Sequence, residues 1–318
     1  MILRAVAWLF PAGLLVMGAG MVSAQTYPTK PVRIVTGDVG GGNDFTARVI
    51  AQEITGPLGQ PVVVDNRANV IAFDLVAKAP ADGYTLLLQG APFWLGPLMN
   101  KVNYDPVRDF SPITLAIRQP NMIVVHPLLP VKSVKELIAL AKAKPGQLNY
   151  GAASIGSSSH LAGEHFKSLA GVNIVTIVYK SNTNAVTDAI SGQVQVLFIS
   201  AAFSGPFVKS GRLRALAVTS AEPSPLAPGL PTVAASGLPG YQSTSMAGIF
   251  APAKTPAAII NRLNQEMVQA LNRDNVKARL FGANVEAVGG SPEQLAATMK
   301  AEIERWGKVI KDAGIRFE

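Results

Sequence analysis

The chain has no cysteine among its 318 residues, which excludes disulfides and thiolate metal sites. Histidine is also scarce, with three in the whole chain. His160 and His165 are five positions apart, so they miss the i, i+4 spacing of a helical zinc pair. The sequence therefore predicts no metal site.

Basic stripes interleaved with aromatic residues, which are typical of nucleic-acid-binding proteins, are missing too. The formal net charge is +8, but the lysines and arginines are scattered along the chain. We therefore expect no nucleic-acid partner. A positive net charge in an exported protein instead favours a small anionic solute.

Uncharged runs long enough to cross a bilayer are missing after the N-terminal segment Met1–Ala24. That segment has a basic Arg4, the apolar run Ala5–Met17 and a small-residue cleavage site at 22–24. A retained anchor is the alternative, but the apolar run is shorter than the roughly 20 residues of a membrane-spanning helix. The sequence predicts a signal peptide cleaved after Ala24 and a soluble periplasmic protein.

Three consecutive glycines, Gly40–Gly42, separate the β-pattern at 32–35 from a helical pattern at Phe45–Leu58. Asn43 or Asp44 is expected to cap this helix. Glycine permits a tight turn with bare amide groups, and a helix N-terminus carries partial positive charge, so an anion is expected there. A plain β–α turn that needs glycine only for its geometry is the alternative.

Two later segments repeat the order strand, small-residue loop, helix. The strand Leu148–Ala152 precedes the loop Ser154–Ser159, and the strand Ile174–Tyr179 precedes Asn182 and Thr183. Ligands of open parallel sheets bind beyond the carboxyl ends of the strands, so we expect these loops to face one cleft. Three or four charge-assisted hydrogen bonds of roughly 1.5–3 kcal/mol each suffice for a micromolar carboxylate complex, before ordering costs are subtracted. For the serines, simple helix capping is the alternative.

Motifs for catalysis and cofactor binding are incomplete. Around Ser154 the segment 152–156 resembles the nucleophile elbow Gly-x-Ser-x-Gly, but the first glycine is missing and the downstream histidines lie on the next helix. The segment 37–42 lacks the Gly-Lys-Ser/Thr of a P-loop, and Phe45 replaces the third dinucleotide-binding glycine. We expect no enzyme activity and no cofactor, with a serine hydrolase using Ser154 as the alternative.

Many short segments, spread over the whole mature chain, carry a family resemblance. They are YPTKPVR at 27–33, GGND at 41–44, LGQPVVV at 58–64, DNR at 65–67, AKAP at 77–80, DGYT at 82–85, YDP at 104–106, DF at 109–110, SHLA at 159–162, YK at 179–180, GQV at 192–194, LRALA at 213–217, LPTV at 230–233 and GLPGY at 237–241. In these segments the chain resembles the Bug-type (TctC-like) extracytoplasmic solute receptors, which are the substrate-binding subunits of tripartite tricarboxylate transporters.

The resemblance implies a type II-like periplasmic-binding-protein fold: α/β, two domains, parallel-rich sheets flanked by helices, and a ligand cleft between the domains. Residues 25–122 and 248–318 are expected to form domain 1, and residues 123–247 domain 2. The implied partners are a small carboxylate and the membrane subunits of the transporter, and the protein is expected to be a monomer that closes by a hinge motion. A ligand-loaded sensor for a membrane signalling partner is the alternative role.

Three departures from the family pattern bear on the ligand. The first loop has TGDVG at 36–40 instead of prolines, the segment ANVIA at 68–72 lacks the usual glycines, and ISA at 199–201 lacks an acidic or strongly polar residue. They favour an organic acid, aromatic or amino-acid-like, that is less charged than a di- or tricarboxylate. The candidate ligand-binding residues are Gly40, Gly41, Gly42, Asn43, Asp44, Ala91, Phe93, Ser154, Gly156, Ser157, Ser158, Asn182, Thr183 and Ala201.

Overall fold

The computed structural model describes residues 27–37, 39, 42–153 and 155–312. These residues form helices and strands that divide into two lobes, each with its own sheet. The predicted signal peptide lies outside the described residues. Within them, no helix is both long enough and apolar enough to cross a membrane.

The sheet of the first lobe has the strand order β2-β1-β3-β9-β4, and β10 pairs with β4 on the far side. The first three strands are parallel, whereas β9, β4 and β10 pair antiparallel with their neighbours. The strands are β1 (Val32–Thr36), β2 (Val62–Asn66), β3 (Thr85–Gly90), β4 (Phe110–Val125), β9 (Thr244–Pro252) and β10 (Glu286–Ala287). The helices of this lobe are α1 (Gly42–Leu58), α2 (Asn69–Ala77), α3 (Ala91–Met99), α8 (Ala257–Asn272), α9 (Asp274–Gly282) and α10 (Pro292–Asp312).

The sheet of the second lobe has the order β4-β7-β5-β6, with β8 also paired to β4. Strands β5, β6 and β7 are parallel to one another, and β4 runs antiparallel to β7. The elements are α4 (Val134–Ala143), β5 (Asn149–Ala152), α5 (Ser158–Ala170), β6 (Val175–Val178), α6 (Asn182–Ile190), β7 (Val196–Ser200), α7 (Ala201–Lys209) and β8 (Arg214–Val218).

Strand β4 is shared by both lobes. The apolar pattern predicts two strands here, at 113–117 and 121–125, but the structure has one strand of 16 residues. Its first part pairs with β9, up to Pro120 opposite Thr244, and its last part pairs with β7 from Asn121 onward. The strand therefore continues across Pro120 and joins the sheet of the first lobe to that of the second.

Alternating side chains of the first sheet fill two separate cores, as expected for strands covered on both faces. Ile34 and Leu86 pack with residues of α1 and α8 on one face. Val35, Leu87 and Phe250 pack with residues of α3 and α10 on the other face. Helices are thereby fixed against the sheet, and their N-termini are held where the parallel strands end.

Candidate functional site

A cavity of about 630 Å³ lies between the lobes, and residues of both lobes line it. Five helix N-termini meet at its wall: α1 and α3 from the first lobe, and α5, α6 and α7 from the second. Each of these helices follows a parallel strand, and each contains at least nine residues. The wall residues at these ends are Gly42, Ala91, Ser158, Asn182 and Ser200.

The N-cap residues of α3, α5, α6 and α7 lie within the described part of the chain, and two of these four helix ends have no side-chain cap. The N-cap residues of α3 and α7 are Gly90 and Ser200, and neither makes a side-chain cap hydrogen bond. In contrast, the hydroxyl groups of Ser157 and Ser181 cap α5 and α6. First-turn N–H groups of α3 and α7 are therefore available to a ligand or to water.

The described residues that line the cavity include no Asp, Glu, Lys or Arg. Each helix N-terminus carries a partial charge equivalent to about half a positive elementary charge. Neutral donors on the wall, such as Asn43, Ser158 and Asn182, add hydrogen-bonding capacity without adding charge. The arrangement suits an anion with several acceptor atoms, of which a carboxylate is the simplest example.

The loop before α5 is fixed by its own hydrogen bonds. The N–H of Gly156 donates to His160 Nδ1 at 3.2 Å, and the N–H of Ala153 donates to Ser159 Oγ at 3.0 Å. The hydroxyl oxygens of Ser157 and Ser159 are 2.9 Å apart. Burial lowers the pKa of His160, although the carboxylate of Glu164 acts in the opposite direction. His160 therefore serves as a neutral acceptor that orders this loop.

One part of the wall, which we call the apolar floor, consists of Ile117, Ala247, Ala283 and Val285. Ile117 and Ala247 lie opposite each other on β4 and β9, and the other two residues lie between α9 and β10. In the strand order these elements are on one side of the first lobe, whereas β1 and β3, which lead into α1 and α3, are on the other. Phe45, Pro92 and Phe203, from the first turns of α1, α3 and α7, also line the cavity, so its wall combines helix ends with apolar side chains.

Comparison with known proteins identifies the family. A sequence profile described as "Tripartite tricarboxylate transporter family receptor" matches residues 46–315. The chain belongs to this receptor family. The predicted resemblance to Bug-type receptors is therefore confirmed: the receptor is 35% identical over 316 residues to BugT of Bordetella pertussis, covering 96% of this chain and 97% of BugT.

Solved receptors share the fold and include proteins with bound acids. Rpa4515 of R. palustris, solved with adipate, has 37% sequence identity and a TM-score of 0.76, covering 91% of this chain and 99% of Rpa4515. MatC of Rhodopseudomonas palustris, solved with malate, has 28% identity and a TM-score of 0.71, covering 89% of this chain and 100% of MatC. The predicted two-domain α/β binding-protein fold is thereby confirmed.

Several of the predicted site residues meet at the cavity, although they come from distant parts of the receptor sequence. They are Gly42, Asn43, Ala91, Gly156, Ser157, Ser158 and Asn182. Helix α1 begins at Gly42 rather than at Phe45, so Asn43 lies in its first turn instead of before it. Gly40, Gly41 and Ser154 lie outside the described residues.

Four predicted residues are not on the cavity wall. Asp44 is buried and forms a salt bridge with Arg48. Phe93 is fully buried in an aromatic cluster, and the centroid of its ring lies 4.6 Å from the centroid of the Phe110 ring. The Ala201 side chain packs in the core of the second lobe, and Thr183 is exposed. An aromatic or small residue after a strand has the same sequence signature in a core as at a cleft, which explains why Phe93 and Ala201 lie in the core instead of on the wall.

Sequence reasoning missed wall residues that strand register brings to the cavity. Ile117, Gln119 and Asn121 alternate along β4 and therefore share one face. Gln119 lies opposite Ser245, which also lines the cavity. The alternation of side chains along residues 113–125 could have predicted these wall residues, but only if the segment had been recognised as one strand.

Proposed function

We propose that this receptor is a periplasmic protein that captures a small carboxylate and delivers it to the membrane subunits of a tripartite tricarboxylate transporter. The observation that carries the proposal is the convergence of five helix N-termini on a cavity whose described lining has no charged side chain. The adipate and malate bound to related receptors support the same ligand class.

The free energy of such a complex can be estimated from the donors at the wall. Hydrogen bonds to a charged acceptor contribute roughly 1.5–3 kcal/mol each. A micromolar complex requires about 8 kcal/mol, so three or four bonds from helix amides and side chains such as Ser158 suffice before ordering costs are subtracted. The receptor therefore needs no arginine or lysine to hold its ligand.

The proposal includes export and hinge closure. We propose that residues 1–24 are removed, that residues 25–122 and 248–318 form one domain and residues 123–247 the other, and that the monomer closes around its ligand. Strand β4 carries the chain into the second lobe, and the chain returns between Ser243, which bonds to Thr219, and the start of β9, so these two crossings are the natural hinge. N-terminal sequencing of the receptor purified from periplasm should begin at Gln25, whereas a chain that still begins at Met1 would contradict export with cleavage.

A thermal-shift screen of organic acids, followed by calorimetry, tests ligand capture. The most informative variant is Asn182→Asp, because an acidic residue stabilises the first turn of α6 but repels an anion at the cavity. We expect an unchanged or higher melting temperature without ligand and at least tenfold weaker binding of the best acid. The matched control is Ala258→Asp in the exposed first turn of α8, which should bind as the wild type does.

Two results would overturn parts of the proposal. Equal binding by Asn182→Asp and wild type would place the ligand away from these helix ends. Ester hydrolysis that Ser154→Ala abolishes would favour the hydrolase instead. For the transport role, deletion of the gene should abolish uptake of the labelled acid. Normal uptake combined with lost transcriptional induction by the acid would favour the sensor.

A further inference from the structure

Phe203 is an exposed aromatic residue on the cavity wall. It lies in the first turn of α7 and is 45% exposed. Later residues of the same helix, Phe207 and Val208, pack against the core of the second lobe, whereas the ring of Phe203 is left in contact with solvent. Water around a large aromatic ring is unfavourable, so covering this ring with an apolar group would stabilise the complex that does so.

The ring lies beside a helix end that has no side-chain cap. Ser200, the N-cap of α7, makes no side-chain cap hydrogen bond, so N–H groups of the first turn are available to an anion. The Cα–Cβ bonds of a helix tilt towards its N-terminus, so the side chain of Phe203, three residues after the cap, leans towards the same end. A carboxylate bound by α7 therefore has its first carbon atoms beside this ring.

Other apolar side chains continue the surface that Phe203 begins. Phe45 and Pro92, in the first turns of α1 and α3, contribute apolar surface from the first lobe. Ile199, directly before the N-cap of α7, lines the cavity too. It lies on β7, which pairs with β4, the strand that carries Ile117 of the apolar floor. Ligand atoms that extend away from the α7 helix end therefore meet apolar surface from both lobes.

We propose that Phe203 is a specificity-determining residue that contacts the hydrocarbon body of the ligand, and that the receptor selects carboxylates with an apolar body. The inference rests on the proposed function, in which helix N-termini bind the carboxylate of the same ligand. Contact between Phe203 and hydrocarbon removes apolar surface of both from water, which is favourable in proportion to the area covered. A hydroxylated body would instead lose hydrogen bonds to water against the ring.

Two six-carbon acids test the inference by calorimetry. Hexanoate and gluconate each carry one carboxylate, but the body of hexanoate is apolar and that of gluconate is hydroxylated. We expect the wild type to bind hexanoate at least about tenfold tighter than gluconate. Phe203→Ala should weaken hexanoate about tenfold, equivalent to about 1.4 kcal/mol, because the ring that covers its body is gone. It should leave gluconate within about twofold, since a hydroxylated body gains little from the ring.

The heat capacity change of binding separates a ligand contact from a structural role. Burial of apolar surface makes this change negative, so it should be more negative for hexanoate with the wild type than with Phe203→Ala. The matched control is Phe281→Ala, because Phe281 lies in α9, is 48% exposed and does not line the cavity. This control should alter neither the affinity nor the heat capacity change.

The melting temperatures of the ligand-free variants complete the test. Both substitutions replace an exposed aromatic residue of a helix by alanine, which has the higher helix propensity, so neither variant should melt below the wild type. A large drop for Phe203→Ala alone would show that Phe203 supports the fold, and would overturn the inference.

The remaining outcomes distinguish this inference from the proposed function. Tighter binding of gluconate than of hexanoate by the wild type, or equal loss of both acids in Phe203→Ala, would overturn the apolar contact but leave carboxylate capture intact. Unchanged hexanoate binding by Phe203→Ala would do the same. If neither acid binds, the inference fails as stated, and the broader screen with Asn182→Asp decides whether carboxylate capture fails with it.

Discussion

The side-chain nitrogen of Asn66 donates to Asp44 Oδ1 at 2.9 Å and to the carbonyl oxygen of Gly37 at 2.7 Å. Arg48 completes the group, because it donates to Asp44 and, at 2.9 Å, to Asn66 Oδ1. These bonds connect the end of β2 with the end of β1 and the first turns of α1. Asp44 therefore holds the first loop and its helix end in place from behind the cavity wall.

Asp44→Asn should destabilise the receptor by about 1–3 kcal/mol, because it weakens the bonds from Arg48 and leaves buried polar groups poorly paired. Urea unfolding at pH 7 measures this loss. The control is Asp74→Asn, which weakens another i, i+4 pair, that with Lys78; the two side chains are 38% and 70% exposed, and the substitution should cost about 0.5 kcal/mol or less. Equal losses in the two variants would contradict the role of Asp44 in fixing the loop.

Local sequence signals predicted the elements of the fold better than the walls of the cavity. The pattern at Ser133 predicts a capping box, and the structure shows half of it: Glu136 N–H donates to Ser133 Oγ at 3.2 Å, whereas the Glu136 carboxylate accepts from the N–H of Lys132. Such contacts join residues three or four positions apart, so the sequence contains all the information needed. The same holds for Ser157, which caps α5 by accepting from the N–H of His160.

The missed residues depend on contacts between distant segments. Gln119 and Ser245 become neighbours through strand pairing across 126 positions of sequence, and no local pattern specifies that register. Asp44 differs from its predicted place in the opposite way, because it lies off the cavity wall. Its place in a loop motif suggested a ligand contact, but an acidic side chain beside an anion is unfavourable unless it points away, and Arg48 with Asn66 turns it away.

Gly163→Ala should destabilise the second lobe by about 1–3 kcal/mol, as overpacked cores do. A Cβ atom at Gly163 would overlap the ring of Tyr150, which is fully buried and donates to Glu164 Oε1 at 2.7 Å. The ring cannot retreat without breaking that bond. Thermal and urea unfolding measure the loss.

Gly307→Ala is the matched control for this substitution. Gly307 lies inside α10 and is half-buried, and the nearest atom from another part of the fold to an added Cβ is Leu98 Cδ1 at 3.9 Å, an ordinary van der Waals distance. Alanine has the higher helix propensity, so this variant should be more stable by about 0.8–1 kcal/mol. Changes of the same sign and size in the two variants would show that backbone propensity, rather than contact with Tyr150, governs Gly163.

His165 joins the lobes through ring contacts between α5 and α10. Its imidazole stacks on Tyr241, with ring centroids 5.1 Å apart, and meets the edge of Trp306 at 5.6 Å. Its Nε2 atom is buried and has no hydrogen-bond partner among the described residues. Burial, and to a lesser extent the charge of Arg305, lowers the pKa of His165 to about 4. The folded receptor therefore holds this imidazole neutral at a pH where the unfolded chain protonates it.

The stability of the receptor should consequently fall as the pH is lowered. The contribution of His165 is fully present above the unfolded-state pKa of about 6.5 and is lost progressively as the pH falls towards 4, because only the unfolded state binds the proton in that range. The shift corresponds to a loss of up to about 3 kcal/mol. His165→Phe keeps an aromatic ring between Tyr241 and Trp306 but cannot be protonated. Urea unfolding between pH 4.5 and 7.5 measures the free energy of unfolding of both proteins. The difference between His165→Phe and the wild type should grow steadily in favour of the variant below pH 6.5. Parallel curves for the two proteins would contradict the burial of a neutral imidazole.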